Sequence, residues 1–171
     1  KGTPGARFSN GWQVIENYSS HMDALEELNS MHIAHNFDFA PQSSMQFFDS
    51  HLKNYVHTAD RPYGYFIKRG PDVGTLDSSL YSQAVKAGVK FHFDSRIDPV
   101  DADIIAGGSS HASGIAKEIV FETEADDTFI TILDNHLTPH GFSYLFIING
   151  HATIGAAILR NFNRIHSVTD N

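Results

Sequence analysis

The chain has 171 residues, 41% of them hydrophobic, with a formal net charge of −8 and no cysteine. That is enough apolar material for one sizeable folded unit and too much for a disordered chain. The acidic balance, without any dense Lys/Arg cluster, excludes the basic footprint that nucleic-acid binding requires. The missing thiols exclude disulfides, thiolate metal sites and cysteine nucleophiles, and fit a reducing, cytoplasmic location.

Residues 1–19 are rich in Gly, Ser, Asn and aromatics, and read as an extended loop. The chain opens on Lys1 with no initiator methionine or targeting signal, and reads as part of something longer. Ser20 is placed to cap a helix over 21–31, with Met22, Leu25, Leu28 and Met31 on one face. From Ile33 to Arg69 the pattern alternates, and three or four short antiparallel strands are expected there. Their short edges leave room for a homo-oligomer built by sheet addition.

The next unit is the clearest. In GTLDSSLYSQAVKAGVKFHFD, Thr75 is the N-cap, Asp77 lies in the first turn, and Leu76, Leu80, Tyr81, Ala84 and Val85 form an apolar stripe. Gly88 sits where a left-handed C-cap belongs, and a strand is expected at 89–93. A second strand, 102–106, runs into Gly107-Gly108 and then a helix. The sequence TFITILD at 128–134 alternates as a strand. The two apolar runs within 142–158 are joined by Asn149-Gly150, a strong two-residue hairpin signal. The longest apolar run, YLFII at 144–148, is strand-sized, so no transmembrane segment is expected. The tail, 160–171, starts as helix.

Eleven histidines raise the question of a metal. His136 and His140 are four apart, but Pro139 between them forbids a regular helical turn. His32 and His35 sit at a change from helix to strand, and no carboxylate of the HExxH kind accompanies either pair. Ordinary histidines are the better reading, and no metal is expected. No GxSxG elbow supports a serine hydrolase. In ADIIAGGSSHASGIAK (102–117), the glycines let the backbone approach a ligand. Amides of Ser109, Ser110 and His111 at a helix N-terminus would favour an anion such as pyrophosphate. The alternative is a plain strand–turn–helix connection, and GxGxxG is absent throughout.

The order of these segments resembles the FAD-dependent oxidoreductases of the geranylgeranyl-reductase and aromatic-hydroxylase type. RGPDVGTLDSSLYSQAVKAGVKFHF (69–93) resembles their arginine, loop and FDxxLxxxAxxxG helix. ADIIAGGSSHASGIAK resembles their later ADxVIxAdGxxS strand beside the flavin. TPHGFSYLFIINGHATIGAAI (138–158) is similar to their GYxWxFP…NVGxG hairpin in the substrate domain. KGTPGARFSNGW looks like the loop after the ribose-binding acid, with Lys1 just beyond that acid. The likeness runs over most of 60–160. It implies cofactor contacts at Arg69, Gly107, Gly108, Ser109, Ser110, Arg7 and Gly11, with FAD as the cofactor of the full-length protein. No catalytic residue is assigned, because in this family the flavin carries the redox chemistry.

Three departures from the pattern matter. The first βαβ unit, with its main pyrophosphate and ribose contacts, is missing, so this chain alone is expected to hold FAD weakly or not at all. Ser109-Ser110 replaces the usual Asp-Gly. The meander between the two sheet strands is cut to about eight residues, SRIDPVDA. The resulting expectation is an α+β fold of mixed and antiparallel sheets with a few helices, the remainder of a FAD/NAD(P)-binding-type fold. Residues 1–118 form a partial FAD-binding region with inserted strands at 33–69. Residues 119–171 form a substrate-domain sheet, and the whole is one compact unit. Function follows as the central, substrate-binding portion of a flavin-dependent oxidoreductase acting on an unsaturated or aromatic, hydrophobic small molecule. Phe129, Phe142, Tyr144 and Phe146 are candidate walls of its cavity. The alternative is a non-catalytic ligand-binding or scaffolding domain that has lost the cofactor.

Overall fold

The structure, a computed structural model, describes residues 2–107 and 111–169. It is mixed α+β, with two sheets and few helices. In chain order the elements are β1 (Gly11–Glu16), α1 (Ala24–Ser30), β2 (Phe39–Gln42), β3 (Ser44–Asp49), β4 (Asn54–Thr58), β5 (Gly64–Arg69) and α2 (Leu76–Lys86). After a 3₁₀ turn at Pro99–Asp101 come β6 (Ile115–Glu122), β7 (Thr128–Leu133), β8 (Gly141–Ile148) and β9 (His151–Ile158). A second 3₁₀ turn, Phe162–Arg164, leads into α3 (Ile165–Thr169).

The smaller sheet has the order β1-β5-β2, and the larger one β4-β3-β7-β8-β9-β6. All pairings are antiparallel except β3 with β7, where Gln46–Asp49 run beside Ile130–Leu133. The larger sheet therefore joins strands from either side of residue 118, which itself lies within β6.

The smaller sheet lies against the larger one. Trp12, Phe66 and Ile148 form the buried centre between them, with Ala40, Phe129 and Phe146 packed around it. Phe66 stacks on Phe129 at 4.9 Å and meets Phe146 at 4.7 Å between ring centroids. Such aromatic pairs add to what burial of their area contributes. One polar tie fixes the sheets' relative position: the Trp12 amide donates to the buried Thr153 hydroxyl at 2.8 Å. On its far side the smaller sheet meets the helices. The Tyr65 hydroxyl donates to Asp23, the N-cap of α1, and Arg69 pairs with Asp77 in the first turn of α2.

Several sequence expectations hold. Thr75 caps α2 by accepting from the Ser78 amide. Asn149 and Gly150, at φ of 50° and 76°, make the two-residue turn between β8 and β9. Both residues need positive φ, which this pair tolerates best.

Other expectations are corrected. The loop 1–19 contains β1, which pairs along the whole length of β5. The first helix begins at Ala24, because Asp23 rather than Ser20 accepts from an amide of its first turn, Leu25 N at 2.9 Å. Met22 and Met31 are exposed, so the expected apolar face is not buried at its ends. Neither 89–93 nor 102–106 is a strand, since no neighbouring strand completes their hydrogen bonds. Ile104 and Ile105 are 85% and 65% exposed. The helix expected from 111 onward is replaced by β6, whose residues Ile115–Glu122 pair fully with β9.

Candidate functional site

Between the sheets, beside the aromatic centre, lies a cavity of about 310 Å³. That is at the lower end of the range for small-molecule sites. Its walls are mainly apolar: Phe66 from β5, Phe129 from β7, Phe142 and Phe146 from β8, and Met45 from β3. The alternation of β8 turns Phe142 and Phe146 to one face, and with Phe129 of β7 three of the four expected wall residues line the cavity together.

Tyr144 is the fourth, and it does something different. Its ring stacks on Phe146 at 4.8 Å, while its hydroxyl donates to Glu118 Oε1 at 2.5 Å. Tyr144, Gly155 and Glu118 stand in one cross-strand row of β8, β9 and β6. The ring crosses β9 at Gly155, where a Cβ would sit 2.8 Å from both Cζ and Oη. Burial, then the bond to Glu118, pushes the Tyr144 hydroxyl well above the usual tyrosine range. Tyr144 thus braces Phe146 from beside it on the same face of β8.

The exposed part of the lining mixes polar Glu16, Tyr18 and Gln46 with apolar Val14 and Phe142. Glu16 and Tyr18, at the end of β1, line the cavity together, and Glu16 is the sole charged residue among its lining side chains. The hydrogen bond from Tyr18 to the Glu16 carboxylate, with a little burial, raises the Tyr18 hydroxyl above its ordinary value. Tyr63, at the cavity wall, is held by its backbone: its amide donates to Gln42 O and its carbonyl accepts from Asn17 N, both at 2.7 Å. Its hydroxyl is buried without a hydrogen-bond partner among the described residues. Behind it, Asp23 accepts from Tyr65, Asn17 and Leu25. Burial opposes ionisation of Asp23, but these bonds together hold its carboxyl below the usual range, while burial and Asp23 push Tyr65 up to about 12.

The expected cofactor contacts are placed as follows. Gly11 and Arg69 are cross-strand partners at the paired ends of β1 and β5, and Arg7 lies exposed in the loop just before β1. Arg69 donates to Asp77 from Nε at 2.8 Å and Nη2 at 3.0 Å, and its guanidinium lies 4.4 Å from the centroid of Phe8. Burial would raise the Asp77 carboxyl, but Arg69 and the Gly70 amide hold it below the ordinary value. Gly11 is packed rather than open: a Cβ there would lie 2.9 Å from Val120 Cγ2 and 3.2 Å from Thr153 Oγ1. Gly107 is exposed in the extended segment, with nothing within 4 Å of where a Cβ would stand. Gly108, Ser109 and Ser110, like Lys1, lie outside the described residues. Gly11 and Arg69 therefore both make close contacts within the protein.

Sequence reasoning missed Glu16, Tyr18 and Tyr63. The available signal was the alternation of GWQVIE, which places Trp12, Val14 and Glu16 on one face of a strand. Among the described residues no group of three or more His, Asp or Glu gathers in a way that could hold a metal ion. No described helix is long and apolar enough to cross a membrane. Comparison with protein-family models, curated proteins and solved structures finds no match to this chain.

Proposed function

We propose that the chain is the central, substrate-binding portion of a flavin-dependent oxidoreductase, with the cavity between the sheets receiving an unsaturated or aromatic organic substrate. The observation that carries this reading is the run of exposed apolar residues from α2 to Ile105. Helix α2 buries Ser79 and leaves Leu80 and Val85 37% and 46% exposed. Phe91 and Phe93 follow it, also exposed, with Phe91 4.7 Å from Tyr81 between ring centroids, and Ile104 and Ile105 lie bare further along. An amphipathic helix followed by two apolar segments is how an α/β layer reads when its parallel strands are absent. A βαβ unit carrying GxGxxG, which the 171 residues do not contain, would cover that layer and anchor the dinucleotide.

The bound flavin would supply the hydride chemistry. The chain's own residues do the rest. The phenylalanine walls exclude water and hold an apolar substrate by area. Tyr144, braced on Glu118, fixes the wall, and Arg69 with Asp77 ties the end of β5 to α2. One observation favours the scaffolding alternative: the Arg69 guanidinium is already neutralised by Asp77.

The test is the product of the whole gene, purified with whatever precedes Lys1. A yellow protein whose colour bleaches on reduction and returns in air supports the enzyme. A colourless protein that retains no FAD after incubation with excess cofactor supports the scaffold.

A further inference from the structure

The charge pattern of the cavity carries a statement about its ligand, resting on the reading of that cavity as the substrate chamber. We infer that Glu16 is a specificity residue. The chamber takes an apolar molecule whose one polar end is a hydrogen-bond donor, a hydroxyl or an amine, and rejects molecules ending in a carboxylate.

No Lys, Arg or His lines the cavity, and Glu16 is its one charged side chain. The interior offers a ligand mainly aromatic and aliphatic surface, so the ligand's body is apolar. The other polar lining groups are neutral: the Gln42 amide nitrogen donates to Ser44 O, the Tyr63 hydroxyl is shielded from solvent, and Gln46 and Thr131 carry no charge. A ligand's polar end therefore belongs at the exposed part of the lining, where it meets the Glu16 carboxylate, the one charge there, beside Tyr18. An ionised carboxylate accepts hydrogen bonds and donates none. It is satisfied by a hydroxyl or an ammonium and repels another carboxylate. At a water-exposed site that repulsion is about one kcal/mol at 4 Å, roughly fivefold in affinity.

The test uses three probes with one naphthalene body: 2-naphthylmethanol, 2-naphthylmethylamine and 2-naphthoate, titrated into the chain at neutral pH and followed by probe fluorescence. The amine and the alcohol are expected to bind about fivefold or more tightly than naphthoate, with the gap for naphthoate shrinking at 1 M salt. Glu16→Gln should narrow the gap to less than twofold, chiefly by improving naphthoate. Val14→Trp, which fills the cavity from β1 and keeps the Glu16 carboxylate, should weaken all three. The inference is overturned if naphthoate binds as well as the alcohol, if no probe binds, if Glu16→Gln leaves the order unchanged, or if Val14→Trp leaves binding intact. No flavin is needed: probes that bind in the wrong order overturn the specificity inference alone, and absence of binding by every probe overturns the cavity reading as well. A colourless whole-gene product with the expected probe order would overturn the oxidoreductase reading and leave the specificity inference standing.

Discussion

Three tyrosines near the candidate site have three different surroundings, and replacing each by Phe separates them. Tyr63→Phe removes a buried hydroxyl that has no partner, so stability should be unchanged or slightly higher. Tyr65→Phe and Tyr144→Phe each remove a bond to a carboxylate and should cost about 1.5–3 kcal/mol. Urea denaturation of the three variants checks the order. Equal losses at all three positions would mean that the Tyr63 hydroxyl has a partner. Asp77 gives a pH signature. Its folded-state carboxyl titrates below the usual Asp value of about 3.9, so its contribution is present above that value and is lost as pH falls through the lower, folded one. Asp77→Asn should therefore destabilise by about 1.5–3 kcal/mol at pH 7 and by progressively less as pH falls below the usual Asp value of about 3.9.

The elements differ in how far the sequence announces them, and packing explains the difference. Helix α2 and the β8–β9 hairpin are set by local chemistry, a threonine cap and an Asn-Gly turn, so both were legible. Strand β1 was not, because its loop-like flanks hide six residues whose alternation matters only once β5 lies beside them. The segments 89–93 and 102–106 have strand composition but no neighbour to pair with, and composition alone cannot supply one. At the site, the Phe walls on β7 and β8 were legible from period-two alternation, whereas Glu16 and Tyr63 enter through the pairing of distant segments. The row Tyr144–Gly155–Glu118 shows what such pairing demands. Gly155→Ala would place a methyl 2.8 Å from both the Tyr144 ring and the Lys117 carbonyl. The variant should lose about 1–3 kcal/mol, and the high tyrosine titration of Tyr144 should move down as its bond to Glu118 breaks. Thermal melting and alkaline difference spectra read the two effects.

At the scale of the whole molecule, order and exposure are unevenly shared. Two sheets and their aromatic centre make a packed body, while the stretch from Ala87 to Gly107 lies exposed apart from half-buried Ala102. Limited trypsin treatment should cut this chain first at Lys90 and Arg96, both exposed and outside regular structure, before any site in the strands. In the whole-gene product loaded with flavin the same sites should resist, because covering strands pair with the segment. Equal cleavage in both proteins would mean that nothing covers it.

The decisive measurement is the visible spectrum of that whole-gene product, recorded before and after adding 2-naphthylmethanol. Bound oxidised flavin is expected, with bands that shift as the alcohol fills the cavity between the sheets, and with no shift in Val14→Trp. A product with no flavin bands, or with bands that the alcohol leaves unmoved, would contradict the proposed function.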